Sequence, residues 1–146
     1  MTIAREKLDT VFERAPGLAE RVRGNDPASI IDSARSLIKA MSEPERIAVL
    51  NAHPRIGADP ASLSALSRME QGGAVDLATL RELAAMNEEY ERRFGFRFVV
   101  FVAGRSKSEL APVFRERLRR TRAEELVTGI DEFLAIARDR LERSAT

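Results

Sequence analysis

From Leu126 onward the chain repeats apolar residues at steps of three and four: Leu126, Ile130, Phe133, Leu134, Ala137 and Leu141. That is the period of an α-helix carrying one apolar stripe, and it predicts a long helix over 122–143. Punctuated stretches predict further helices near 3–13, 17–23, 27–41, 43–52, 60–71, 77–93 and 107–119. The starts are marked by Asp26-Pro27, Asp59-Pro60 and Asp76-Leu77. In such pairs an aspartate accepts from the orphan amides of the first turn, and proline at the first helical position has no amide to leave unpaired. Ser42 with Glu45, and Thr121 with Glu124, have the spacing of capping boxes. Gly24, Gly57, Gly72-Gly73 and Gly95 supply matching stops.

One run breaks the helical pattern. FRFVVFVAG, residues 96 to 104, is β-rich in composition, yet the chain has no second convincing strand to pair with it. An isolated strand cannot satisfy its own backbone, so the run is expected to be an extended or short helical connector packed in the core. The pattern as a whole predicts an all-α fold in one compact domain spanning 1–146.

Composition narrows the functions such a domain could carry. The 24 basic residues nearly cancel the 23 acidic ones, so overall charge favours neither nucleic acid nor an acidic membrane as partner. Cysteine is absent, which excludes thiol catalysis and cysteine-ligated metals, and a single histidine excludes a multi-histidine metal site within one chain. There is no apolar run long enough to span a bilayer, and MTIAREKLDTVFERA lacks a signal-peptide core. The chain ends in Ser-Ala-Thr, unlike a peroxisomal Ser-Lys-Leu address. The expected location is cytoplasmic. RERLRRTR, residues 115 to 122, holds five arginines and could meet phosphates, but no aromatic residues interleave it and Glu124-Glu125 follow. A solvated or salt-bridged helix surface is the expectation there, not a nucleic-acid interface. GRSKSEL, residues 104 to 110, lacks the second glycine and the Gly-Lys-Ser/Thr ending of a P-loop.

Three features carry candidate chemistry. The sole histidine, His53, stands in NAHPRIG directly before Pro54. Proline disfavours helical geometry in the residue before it, so a helix should end near His53, where the helix dipole favours a protonated imidazole. His53 is then either a surface C-cap or a general acid–base. In SRMEQGG, residues 67 to 73, helical spacing groups Ser67 with Glu70 and Gln71. The cluster is either a solvated helix end or a grip for a small polar heterocycle. On the last helix, Arg138 falls nearly opposite the apolar stripe and should be solvated. Arg140 lies only about 20° around the helix from Phe133, at roughly 100° per residue. A guanidinium on that inward edge needs a partner.

Taken together, NAHPRIG, SRMEQGG, MNEEYERRFGFRFVVFVAGRS and the terminal RERLRR…EEL…IARDRL resemble one family: the 2-oxo-4-hydroxy-4-carboxy-5-ureidoimidazoline (OHCU) decarboxylases. The resemblance covers about residues 40 to 143. ERAPGLAE departs from the family's Ser-Pro-Trp-like segment, and this chain has no tryptophan. The resemblance implies an all-helical domain, commonly homodimeric, that decarboxylates the ureidoimidazoline to (S)-allantoin without metal or organic cofactor. It also implies His53 and Glu70 as catalytic residues. Ser67, Gln71 and Arg140 would bind substrate, with Pro54 beside the histidine and backbone amides from Phe98, Val99, Val100, Phe101 and Val102. The competing readings are a helical interaction protein, in which these side chains would not converge, an RNA-binding helical module, and the same fold acting on a related ureide.

Overall fold

The structure, a computed structural model, describes residues 5–13, 15, 17–56 and 77–144. Among these residues the architecture is all-α, as the sequence pattern predicts, with seven helices and no strand. We label them α1 (Arg5–Val11), α2 (Leu18–Arg21), α3 (Pro27–Lys39), α4 (Glu43–Asn51), α5 (Leu77–Phe94), α6 (Lys107–Arg117) and α7 (Arg122–Ser144). The predicted helix at 60–71 lies outside the described residues, as do the signals at Gly57, Asp59-Pro60, Gly72-Gly73 and Asp76. No helix among the described residues is long and apolar enough to cross a membrane.

Local sequence explains most helix boundaries. Asp26 caps α3, accepting from the Ser29 amide at 2.8 Å while the Asp26 amide donates back to the Ser29 hydroxyl. The same reciprocal box forms at Ser42–Glu45 and at Thr121–Glu124. In both, the accepted amide and hydroxyl bonds hold the glutamate below its usual proton affinity. A further box, Ser106–Glu109, opens α6. The clearest difference from the predicted boundaries is at α1, which stops at Val11. The chain then turns through Glu13, whose φ of 49° is in the left-handed region that few non-glycine residues adopt.

α7 is the spine of the domain and packs against α1, α3, α4 and α5. Its stripe buries Phe133, Leu134, Ala137 and Leu141, while α3 contributes Ile30, Ile31, Ala34 and Ile38. Each large apolar side chain so buried contributes about 1.5–3 kcal/mol relative to exposure. The α4–α7 crossing is tight. A Cβ built on Gly129 would lie 3.1 Å from Cδ1 of Leu50, a fully buried residue.

The 96–104 run is extended over 97–102, with Phe96, Phe98, Val99, Val100 and Val102 all in the core, and ends in an exposed turn at Ala103-Gly104, both at positive φ. Its rings join those of α5 and α6: Phe98 stacks on Phe114 with centroids 3.8 Å apart, and Tyr90 meets Phe98 edge-on at 5.3 Å.

The Gly129 contact predicts the cost of a wedge. Gly129→Leu should force α4 and α7 apart and lower stability by about 1–3 kcal/mol, measured by urea unfolding. An unchanged midpoint would mean that the crossing has slack.

Candidate active site

α4 ends where Pro54 requires it to, with Ala52 as the C-cap and the His53 amide donating to the Leu50 carbonyl at 3.1 Å. The imidazole is not on the surface: His53 is only 6% exposed. The carbonyls of Asn51 and His53 both accept from the Arg97 guanidinium, at 2.8 and 3.1 Å, and the Arg97 amide donates to the Asn51 side chain at 3.0 Å. Arg97 thus supplies the cation that a helix C-terminus attracts, so the dipole has no need of a charged imidazole. The turn after His53 is held from α5. Asn87, also buried, donates to the Ile56 carbonyl at 2.8 Å, and one turn later Glu91 takes the Arg55 guanidinium in a two-point pair. That pair lowers the proton affinity of Glu91.

Arg140 is almost wholly buried, as the sequence pattern predicts, and it has partners. One guanidinium nitrogen donates to the Thr10 and Val11 carbonyls at 3.2 and 3.1 Å, capping the C-terminus of α1. The other lies 3.0 Å from the Glu13 carboxylate. Arg138 is exposed and pairs with Glu142 along the helix. Glu13 is the member of this group that the sequence reading missed. Its signal was an acid at a helix C-terminus, where the dipole is unfavourable unless a cation is supplied.

These groups act on His53 together. Burial, then the Arg140 charge, lowers its pKa from 6.5 to about 4; Glu13 opposes them, and Arg97 adds to them. At neutral pH the imidazole is uncharged, able to donate from one ring nitrogen and accept at the other. Its Nδ1 is buried and has no hydrogen-bond partner among the described residues. Ser67, Glu70 and Gln71 lie outside the described residues. His53 and Arg140, 87 positions apart in sequence, are brought within electrostatic reach. No three His, Cys, Asp or Glu side chains among the described residues gather closely enough to hold a metal ion.

Most side chains of the Phe98–Val102 segment are committed to the core, so its backbone is what remains to bond. Val99 O accepts from Arg117 at 2.6 Å, and Phe101 O and Val102 O accept from Arg105 at 2.7 and 3.0 Å. The Phe101 amide is engaged by Glu132 at 3.3 Å. The arginine-rich run is internally committed. Arg115 pairs with Glu82, Arg117 and Arg120 with Glu125, Arg119 with Glu116, and Arg122 with Glu43.

The result is a small all-α domain that buries a neutral imidazole beside an arginine–glutamate pair drawn from opposite ends of the chain. The OHCU decarboxylase family model matches residues 2–142. The 2-oxo-4-hydroxy-4-carboxy-5-ureidoimidazoline decarboxylase of Haloferax volcanii is 30% identical over 139 residues, covering 90% of this chain and 82% of that protein. The uric acid degradation bifunctional protein of Bacillus subtilis is 29% identical over 143 residues, which are 93% of this chain but 29% of that protein. The crystal structure of an OHCU decarboxylase in the presence of (S)-allantoin superposes with a TM-score of 0.76, covers 97% of both chains and is 22% identical, a likeness of fold. This chain belongs to the OHCU decarboxylase family.

The electrostatics make a direct prediction. An NMR titration of the single imidazole should give a pKa near 4, well below 6.5. Because the folded pKa is the lower one, the unfolded chain binds more protons between the two values. Stability should therefore fall as pH drops from about 6.5 towards 4, and His53→Asn should flatten that limb. An imidazole titrating at 6.5 would show it to be solvated.

Proposed function

We propose that this chain decarboxylates 2-oxo-4-hydroxy-4-carboxy-5-ureidoimidazoline to (S)-allantoin in urate degradation. Membership of the family supports the reaction class, and the observation that carries the site is the buried neutral His53 in the field of Arg140. In this reading residues 1–146 form one domain that works in the cytoplasm as a homodimer without metal or organic cofactor.

The substrate carbon that loses carbon dioxide bears a hydroxyl and lies next to a carbonyl-conjugated ring. Cleavage of its bond to the carboxylate leaves the electron pair on that carbon as an enolate-like anion, which must then take a proton on one face. Arg140 receives the negative charge of the substrate, its guanidinium held in place by the α1 carbonyls and Glu13. An incoming carboxylate offsets the Arg140 charge, one of the two largest causes of the low proton affinity of His53. Substrate binding thus raises the imidazole pKa as the reaction comes to need a proton donor. Glu70 orients the hydroxyl and destabilises the adjacent carboxylate. Ser67 and Gln71 hold the ureide, Pro54 fixes where the helix releases the histidine, and amides of the Phe98–Val102 segment face the developing oxyanion.

His53→Asn and Glu70→Gln should each lower turnover of freshly generated substrate by about 10²–10⁴-fold, followed by circular dichroism as chiral allantoin appears. Wild-type turnover in either folded variant would overturn the assigned role. Arg140→Ala should act mainly by raising KM; an unchanged KM would move the anion contact to another residue.

A further inference from the structure

The extended run carries a second set of buried charges that the proposed chemistry does not use directly. Glu125 is fully buried on α7, and Arg117 on α6 is 6% exposed. Nε of Arg117 donates to Glu125 Oε1 at 2.7 Å, and the Tyr90 hydroxyl on α5 donates to the same oxygen, also at 2.7 Å. Burial and that bond push the Tyr90 hydroxyl well above its usual proton affinity, so it remains a donor. Arg120 takes Oε2 at 2.9 Å. Nη1 of Arg117 reaches the Val99 carbonyl at 2.6 Å, and its Cζ lies 4.4 Å from the centre of the Phe98 ring. Three helices therefore converge on one peptide group.

Folding energy alone is a weak reason for such a cluster, because a buried ion pair is often no more stabilising than apolar residues of the same volume. Its geometric effect is specific. In a planar trans peptide the carbonyl and the following amide point in opposite directions. Fixing Val99 O on Arg117 therefore fixes Val100 N–H on the other side of the chain. One peptide further on, Glu132 takes the Phe101 amide on the Arg117 side of the extended backbone, and Arg105 holds the next two carbonyls. No group among the described residues accepts from the amides of the buried Phe98, Val99, Val100 and Val102, and of these only Val100 N–H belongs to the peptide whose carbonyl Arg117 holds. A buried donor without an acceptor is costly unless a ligand supplies one.

We infer that Arg117, clamped by Glu125 and Tyr90, is a positioning residue that aims the Val100 amide at the substrate oxygen on which negative charge develops. This rests on the decarboxylase reading above. Arg117 itself touches no substrate. Its effect is on the transition state more than on binding, because the charge it serves appears only as the carbon–carboxylate bond breaks.

Arg117→Lys keeps the charge but cannot reach Glu125 and Val99 with one rigid fork. A folded Arg117→Lys protein should lose about 10- to 100-fold in kcat, with KM within about twofold of wild type. In ¹⁵N-labelled wild-type protein the Val100 amide resonance should move on titration with (S)-allantoin, and in Arg117→Lys that response should be lost. Tyr90→Phe removes one donor to Glu125 and keeps the ring, so it should show the same kcat-only loss at smaller size; it carries the test if Arg117→Lys does not fold. Wild-type kcat in the folded lysine variant, or a wild-type Val100 amide that ignores (S)-allantoin while the enzyme turns over, would overturn the inference. Failure of the wild-type chain to accelerate (S)-allantoin formation would instead overturn the decarboxylase reading.

Discussion

A stretch of extended backbone buried on both sides, with no neighbouring strand among the described residues, sets the terms for the rest of this molecule. Every carbonyl in such a stretch has left water and must be met by something. Here side chains do much of it: the forked guanidiniums of Arg117 and Arg105 take the Val99, Phe101 and Val102 carbonyls, and Glu132 takes an amide. The buried Arg117 in turn needs a buried anion, which is why Glu125 stands with no solvent exposure where α5, α6 and α7 meet. The start of the same run lies against the end of α4, where Arg97 grips the Asn51 and His53 carbonyls. The unpaired backbone therefore locates both the three-helix junction and the histidine.

The behaviour of His53 is a contest between two effects of different size. A helix C-terminus favours a cation by about 0.3–1 kcal/mol at an exposed end. The fall in its pKa from 6.5 to about 4 corresponds to roughly 3 kcal/mol in the opposite sense. Burial and the neighbouring guanidiniums therefore win, and Arg97 removes even the small opposing preference by occupying the helix end itself. The geometric part of the C-cap expectation holds, since the helix does end before Pro54. Its electrostatic part does not.

What was legible in the sequence followed from range. Caps at Asp26, Ser42 and Thr121 depend on residues three apart, and they formed as read. The Ser106–Glu109 box is equally local and stands in GRSKSEL at the same spacing. Arg140 was legible as a misplaced charge, because helical periodicity alone puts it inward. Its pairing with Glu13 is not legible: an acid at a helix C-terminus signals the need for a cation, but nothing local says that the cation stands 127 positions away. Arg117 was concealed in another way: within an arginine-rich run it looks like its solvated neighbours, and only the α5–α6–α7 junction sets it apart. The connector was read correctly because an unpaired strand is a physical contradiction that only side chains can resolve.

The bonds from Arg140 to the Thr10 and Val11 carbonyls join positions 129 and 130 residues apart. During synthesis α1 emerges before α7, and its C-terminal carbonyls wait for a guanidinium made 130 residues after Thr10. The helices between can form locally as they emerge, but this clasp cannot close until α7 is free of the exit tunnel. A nascent or C-terminally shortened chain would thus hold His53 without the charge that tunes it. Completion of the site therefore waits on α7, the same helix that the core of the domain waits on.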